Sequence, residues 1–342
     1  MNQTAALAPS PSLEQPRSSL VMRVLLSNEF GLLLLILAFG TVFTLALDGF
    51  ASPFNLFTIG RQIAISAMIG FAMMVVIITG GLDLSVGAIG VSCAMIGGWL
   101  IESLGMPVIA GILGALALGV FMGAINGVVI VRSGVHSFII TLASMSIFFG
   151  IMIFLTQAEA FRALPPEIAQ FGKMKAVGWL SPLLFVTIAV AIALIGLYRF
   201  TTLGRQMLAA GANPRAAELS GVPVKRMIVY CHMLCGFLAG MAALMFTART
   251  GAAVPSMAGH LGQDWLLPAF LAPVLGGTLL TGGRVSVIGT LLGAVFVTMI
   301  TSGLLLMRVG EFWVQACLGL MLLGAVVIDR GRHAVLRRRG LA

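Results

Sequence analysis

The chain has 342 residues, 59% of them hydrophobic and only 9% charged, with a formal net charge of +9. Soluble domains carry about 25% charged residues, so this composition excludes a soluble globular domain and indicates a polytopic membrane protein. The basic residues flank apolar runs instead of forming a face interleaved with aromatics, so they read as topology determinants and not as a nucleic-acid surface.

Residues 1–28 are polar and contain Pro and Ser, without a charged-then-apolar signal pattern; they read as a cytoplasmic tail. Apolar runs follow at about 30–47, 58–79, 84–101, 107–131 and 136–156. Arg61, near the start of the second run, is placed to reach the membrane interface along its aliphatic stem. A polar loop spans 157–179, a sixth run covers about 180–198, and a basic segment, 199–226, precedes the seventh at about 227–248. The loop 249–264, with Pro255, His260 and Asp264, is expected to face outward. Runs at about 265–280, 285–306 and 312–328 complete ten expected spans, and 330–342 forms a basic tail.

Ten crossings place both termini on one side of the membrane. That side then holds 14 Lys and Arg residues against 6 on the other, and the excess marks it as cytoplasmic. The expected fold is all-α and polytopic, with a permease-like membrane domain over 29–329 and a cytoplasmic loop at 199–226. Cys93, Cys231, Cys235 and Cys317 lie in apolar runs and read as small core residues, with no disulfide framework or metal site. Gly111, Ala115, Gly119, Gly123 and Gly127 recur every fourth residue, a stripe that lets helices approach closely in lipid.

Two stretches carry chemistry. The first is Gly80-Gly81-Leu82-Asp83-Leu84-Ser85-Val86-Gly87, between two apolar runs. An ionisable group inside a bilayer costs about 2.5–3.5 kcal/mol on insertion scales, so Asp83 needs a reason. The glycine pair allows a turn or a close backbone approach, and Asp83 and Ser85 are suited to cap the amides of a restarting helix. The pattern is that of a broken or re-entrant helix. Thr281-Gly282-Gly283 and Gly289 repeat Thr79-Gly80-Gly81 and Gly87 at a constant offset of 202 residues, a local echo of one junction.

The second stretch begins at Gly211. Asn213 is a good N-cap, Pro214 suits the first helical position, and Gly221 with Pro223 forms a stop. The short helix between them is either a docking element for another protein or an ordinary surface helix. There is no Gly-x-x-x-x-Gly-Lys-Ser/Thr loop, so the chain does not bind ATP in that way. It also lacks His-Glu-x-x-His, Gly-x-Ser-x-Gly and Cys-x-x-Cys, so an intramembrane enzyme would have no catalytic pair.

Together these stretches resemble the permease subunits of bacterial ABC sugar importers of the ribose/xylose/galactose type. The first is similar to that family's Gly-Gly-(Ile/Leu)-Asp-Leu-Ser-Val-Gly signature. Gly211 to Val222 is similar to its coupling region, and Gly276-Gly277 and Gly282-Gly283-Arg284 resemble its later glycine pairs. The resemblance implies a type II-like importer permease in the inner membrane, working as a dimer with an identical or closely related subunit. It also implies an ABC ATPase that binds the ATP, a periplasmic or lipid-anchored sugar-binding protein, and no cofactor in this chain. Gly80, Gly81, Asp83, Ser85, Gly87, Gly282 and Gly283 would then be hinge or pathway residues. Gly211, Asn213, Pro214, Ala216, Ala217, Glu218 and Gly221 would couple to the ATPase. The alternatives are a permease for a nucleoside, a signalling sugar or another polar solute, and an ion-coupled transporter using Asp83.

Overall fold

The computed structural model describes residues 28–176 and 180–338. The expected tail 1–28, apart from Asn28, therefore lies outside the described residues, as do 177–179 of the polar loop and 339–342 of the basic tail.

Local sequence explains where the helices start and stop. Helix α1 covers Asn28–Ala46. Helix α2, Pro53–Ile77, begins where the Ser52 hydroxyl accepts the Asn55 amide at 3.3 Å and Pro53 takes the first turn. Helix α3 is Val86–Glu102. Helix α4, Val108–Ser133, follows Pro107 and stops at Gly134, whose φ of 68° is the left-handed conformation that ends a helix. Helix α5 is Ser137–Thr156, and α6, Pro166–Lys173, lies within the polar loop. Helix α7, Pro182–Phe200, is capped by Ser181. Two short helices, α8 (Thr202–Ala212) and α9 (Pro214–Leu219), lead into α10, Val224–Thr250. A distorted 3-10 turn, His260–Trp265, precedes α11, Leu266–Leu275. Helix α12 is Val287–Leu306. The last, α13, is Glu311–Arg338, so helical backbone continues beyond the expected span into the basic tail.

Seven of these helices are long and apolar enough to cross a membrane: α1, α2, α4, α5, α7, α10 and α12. The chain is thus a multi-pass membrane protein, all-helical among the described residues. Helix α2 is central, with nearly every residue from Ala64 to Ile78 buried. The glycine stripe of α4 does the packing expected of it. A methyl group on Gly119 would overlap the Gly236 carbonyl of α10, one on Gly123 the His232 carbonyl, and one on Gly127 would stand 2.7 Å from the Val229 Cα.

The expected eighth run, which the sequence leaves open to being re-entrant, is only partly helical. Over 265–280 only Leu266–Leu275 is helical, about 15 Å at 1.5 Å per residue and half the hydrocarbon thickness. The preceding segment is not an outer loop along its whole length. The Phe161 and Ala253 backbones exchange two hydrogen bonds of 2.9 Å, and both side chains pack on Gly98 near the Glu102 end of α3. From there the chain descends beside α3, with Trp265 against Gly90 and Gly262 against Gly87. Gly98 to Gly87 is about 16 Å of helix. Residues 253–265 therefore run beside α3 as irregular chain and a distorted 3-10 turn before the short helix α11. Composition shows only the apolar helix, because the chain before it is Gly-, Ser- and Pro-containing.

Candidate functional site: two loops and the inner segment at one point

The Asp83 loop is held from three sides. The Asp83 side chain is fully buried. Its Oδ1 accepts the Ser85 amide at 2.9 Å and the Ser85 hydroxyl at 2.6 Å. Asn126, from α4, donates through Nδ2 to the Ser85 hydroxyl oxygen at 2.7 Å and to Asp83 Oδ2 at 3.4 Å. From α5, the Ser137 hydroxyl accepts the Leu82 amide at 2.9 Å and the Thr141 hydroxyl accepts the Leu84 amide at 3.1 Å. Asn126 lies about two helical turns from the Ser133 end of α4, so this network sits inside the apolar layer.

Ser85 does not cap α3 with its side chain, contrary to expectation. The Asp83 carboxylate takes the Ser85 amide instead, which frees the Ser85 hydroxyl to relay between Asp83 and Asn126. A buried carboxylate is tolerable when donors surround it. Asp83 thus ties the start of α3 to Asn126 of α4.

The glycines do a different job. Gly80 has φ 74°, Gly282 φ 88° and Gly283 φ 78°; Gly282 and Gly283 meet Gly211 of α8, and Gly80 meets Gly282. The Gly283 amide donates to the Ile78 carbonyl at 2.9 Å. A methyl on Gly211 would overlap that same carbonyl and stand 2.7 Å from the Gly283 nitrogen. A methyl on Gly282 would stand 2.8 Å from the Gly80 nitrogen, and one on Gly283 2.5 Å from the Ala212 Cα. Gly81 faces the Ser137 hydroxyl instead. The two expected site groups therefore touch, backbone to backbone.

The echo between the junctions holds in part: Gly80 and Gly282 share a positive φ, whereas Gly81 lacks the φ of 78° that Gly283 has. Gly87 lies against the Gly262 backbone and Gly289 against the Gly276 backbone, in each case too close for a side chain. The second junction has its own cap: the Ser286 hydroxyl accepts the Gly289 amide at 2.9 Å and donates to Glu29 at 2.6 Å.

Beyond the node, Asn213 Oδ1 accepts the Ala216 amide at 3.1 Å, Pro214 opens α9, and Gly221, φ 81°, ends it. Ala217 is the inward contact of α9, while Asn213, Pro214, Ala216, Glu218 and Leu219 are exposed, Leu219 at 86%. Sequence reasoning missed Ile78, Asn126, Ser137, Thr141 and Gly262. Asn126 alone left a signal, as the single polar side chain in the run 108–131.

A chain with these junctions is comparable to known proteins over most of its length. Residues 55–328 match the family described as branched-chain amino acid transport system / permease component. The chain belongs to this permease family. It is 35% identical over 288 residues to the ribose import permease protein RbsC of Bacillus subtilis, covering 83% of this chain and 87% of the relative. It is 33% identical over 309 residues to the fructose import permease protein FrcC of Rhizobium meliloti, covering 87% and 83%. The D-allose transport system permease protein AlsC of Escherichia coli is 30% identical over 302 residues, covering 85% and 91%. No solved structure matches the chain. As a member of this permease family the protein is a transport component. Close backbone contacts join α8 to both glycine loops.

Proposed function

We propose that this chain is the membrane-spanning subunit of an ATP-driven importer for a monosaccharide. Its translocation path opens alternately to either side under the drive of an associated ABC ATPase. The supporting observation is the meeting of Gly211 with Ile78, Gly282 and Gly283. Helix α9 is the coupling element, seated in the ATPase through its exposed face. Gly80, Gly81, Gly87, Gly282 and Gly283 are the hinge glycines, and Asp83 with Ser85 fixes the end of α3 that moves with them. The sugar specificity follows from the relatives named as ribose, D-allose and fructose permeases, each covered over more than four-fifths of its length.

In this reading the bundle crosses the inner membrane ten times, counting α3, α13 and the half-unwound crossing that ends in α11. Both termini and 199–226 face the cytoplasm. A second permease subunit, the same chain or a close homologue, completes the pore, and a periplasmic or lipid-anchored binding protein delivers the sugar. ATP binds the partner ATPase. Ion-coupled transport through Asp83 is the weaker reading, because that carboxylate is already engaged by Ser85 and Asn126.

Reconstitution in liposomes with the ATPase and binding protein tests this. Uptake of ribose, allose or fructose should require ATP and both partners. Uptake by the chain alone under a proton or sodium gradient would overturn the reading and make Asp83 the coupling group.

A further inference from the structure

We infer that the unwound segment 256–264 lines the solute path of this permease, and that Ser256, His260, Gln263 and Asp264 are the side chains that meet a polyhydroxylated solute there. The inference deepens the proposed sugar import and rests on it.

The segment lies at membrane depth. It descends beside α3 between the levels of Gly98 and Gly87, and α11 continues the crossing from Leu266. Non-helical backbone is tolerated at that depth only where protein buries it or where it borders water. Both conditions are met by different residues of the segment. Ala253, Met257, Ala258, Gly262 and Trp265 are buried. Ser256, His260, Gln263 and Asp264 are exposed. A carboxylate facing acyl chains would be strongly unfavourable, so that face belongs to water.

The chemistry suits a sugar. A polyol needs several hydrogen-bond donors and acceptors, and these side chains supply a hydroxyl, an imidazole, an amide and a carboxylate within one short stretch. An apolar ring face complements the C–H face of a sugar, and Phe149 of α5 stands beside His260 with ring centroids 6.0 Å apart. The segment is also held in shape. The Asp264 amide donates to the Ala258 carbonyl at 3.0 Å. Gly259, φ 71°, leaves room for the Asp264 carboxylate, whose Oδ1 would be 2.7 Å from a methyl placed there. By contrast, the cavity of about 300 Å³ between α3, α4, α6, α7 and α10 is lined mostly by apolar side chains, among them Ile101, Leu116, Leu183 and Met241, and suits a hydrocarbon.

Single cysteines at 256 and 263 in the complete transporter, reacted in liposomes and located by mass spectrometry, decide between environments. A membrane-impermeant sulfonated thiosulfonate should modify Ser256→Cys and Gln263→Cys. Saturating sugar with its binding protein should slow the reaction several-fold. Modification by membrane-soluble phenylmaleimide alone would place the face in lipid, and protection from both reagents would place it in a subunit contact. Either result overturns the inference. In a second arm, Gln263→Ala and Asp264→Asn should change the ratio of kcat/KM among D-ribose, D-allose and D-fructose by about tenfold. An equal fall for all three would overturn a role in recognition. A wild-type transporter that imports none of the three would instead overturn the sugar assignment, and the labelling pattern would still decide whether 256–264 borders the path.

Discussion

The Gly283 amide donates to the Ile78 carbonyl at 2.9 Å, joining the end of α2 to the turn before α12 across well over half the chain length. Gly211 sits directly on that bond. The inner segment, the first glycine loop and the second therefore share one contact, and small changes there should reach all three.

Gly211→Ala is the sharpest test of this point. Its methyl has no room beside the Ile78 carbonyl, and inserting a methyl into a packed site costs about 1–3 kcal/mol. The variant should melt several degrees lower in detergent and lose most ATP-driven uptake. Gly134→Asn is the control: Gly134 has φ 68° with open space around it, and Asn tolerates the left-handed region. It should be close to neutral in both assays.

The Asp83 network should show strong coupling. Asp83→Ala leaves the Ser85 amide and hydroxyl without their acceptor, a loss of about 1–3 kcal/mol per buried group. Asp83→Asn keeps one acceptor oxygen and should cost clearly less. Asn126→Asp sets a second carboxylate beside the first and should be worse than Asn126→Ala. Thermal melting of the four variants ranks them, and a reversed order would disprove the role of Asp83 as a tie between α3 and α4.

Thr141→Val preserves shape but removes the acceptor for the Leu84 amide. One unsatisfied buried amide costs about 1–3 kcal/mol. Hydrogen exchange followed by mass spectrometry should show faster exchange in the peptide covering 80–86. Unchanged exchange would mean that α5 does not hold the loop.

Helix α9 separates stability from docking. Leu219 is 86% exposed, so Leu219→Asp should shift stability by no more than about 0.5 kcal/mol. It should nonetheless reduce co-purification of the ATPase, as should Glu218→Ala. Asn213→Ala removes the cap on the Ala216 amide and should cost about 1 kcal/mol, with uptake falling in parallel. Full ATPase retention in all three would direct the coupling role elsewhere on the inner face.

The sequence by itself determined what depends on neighbours along the chain. Low charge and long apolar runs specify a helical membrane protein, because lipid cannot satisfy backbone polar groups. Asn213, Pro214 and Gly221 specify the short α9, because caps act within a few residues. The small-residue stripe of α4 announces close packing for the same local reason. Tertiary structure alone decided the rest. Nothing local says that Gly211 meets Ile78 and Gly283, since those contacts are backbone to backbone and a glycine does not name its partner. Nothing local pairs Asp83 with Asn126, or Leu84 with Thr141, because each partner comes from a different helix. The path of 253–265 was hidden for a related reason: its polar composition reads as a surface loop, and only the packing of Gly262 on Gly87 and Trp265 on Gly90 carries it down beside α3.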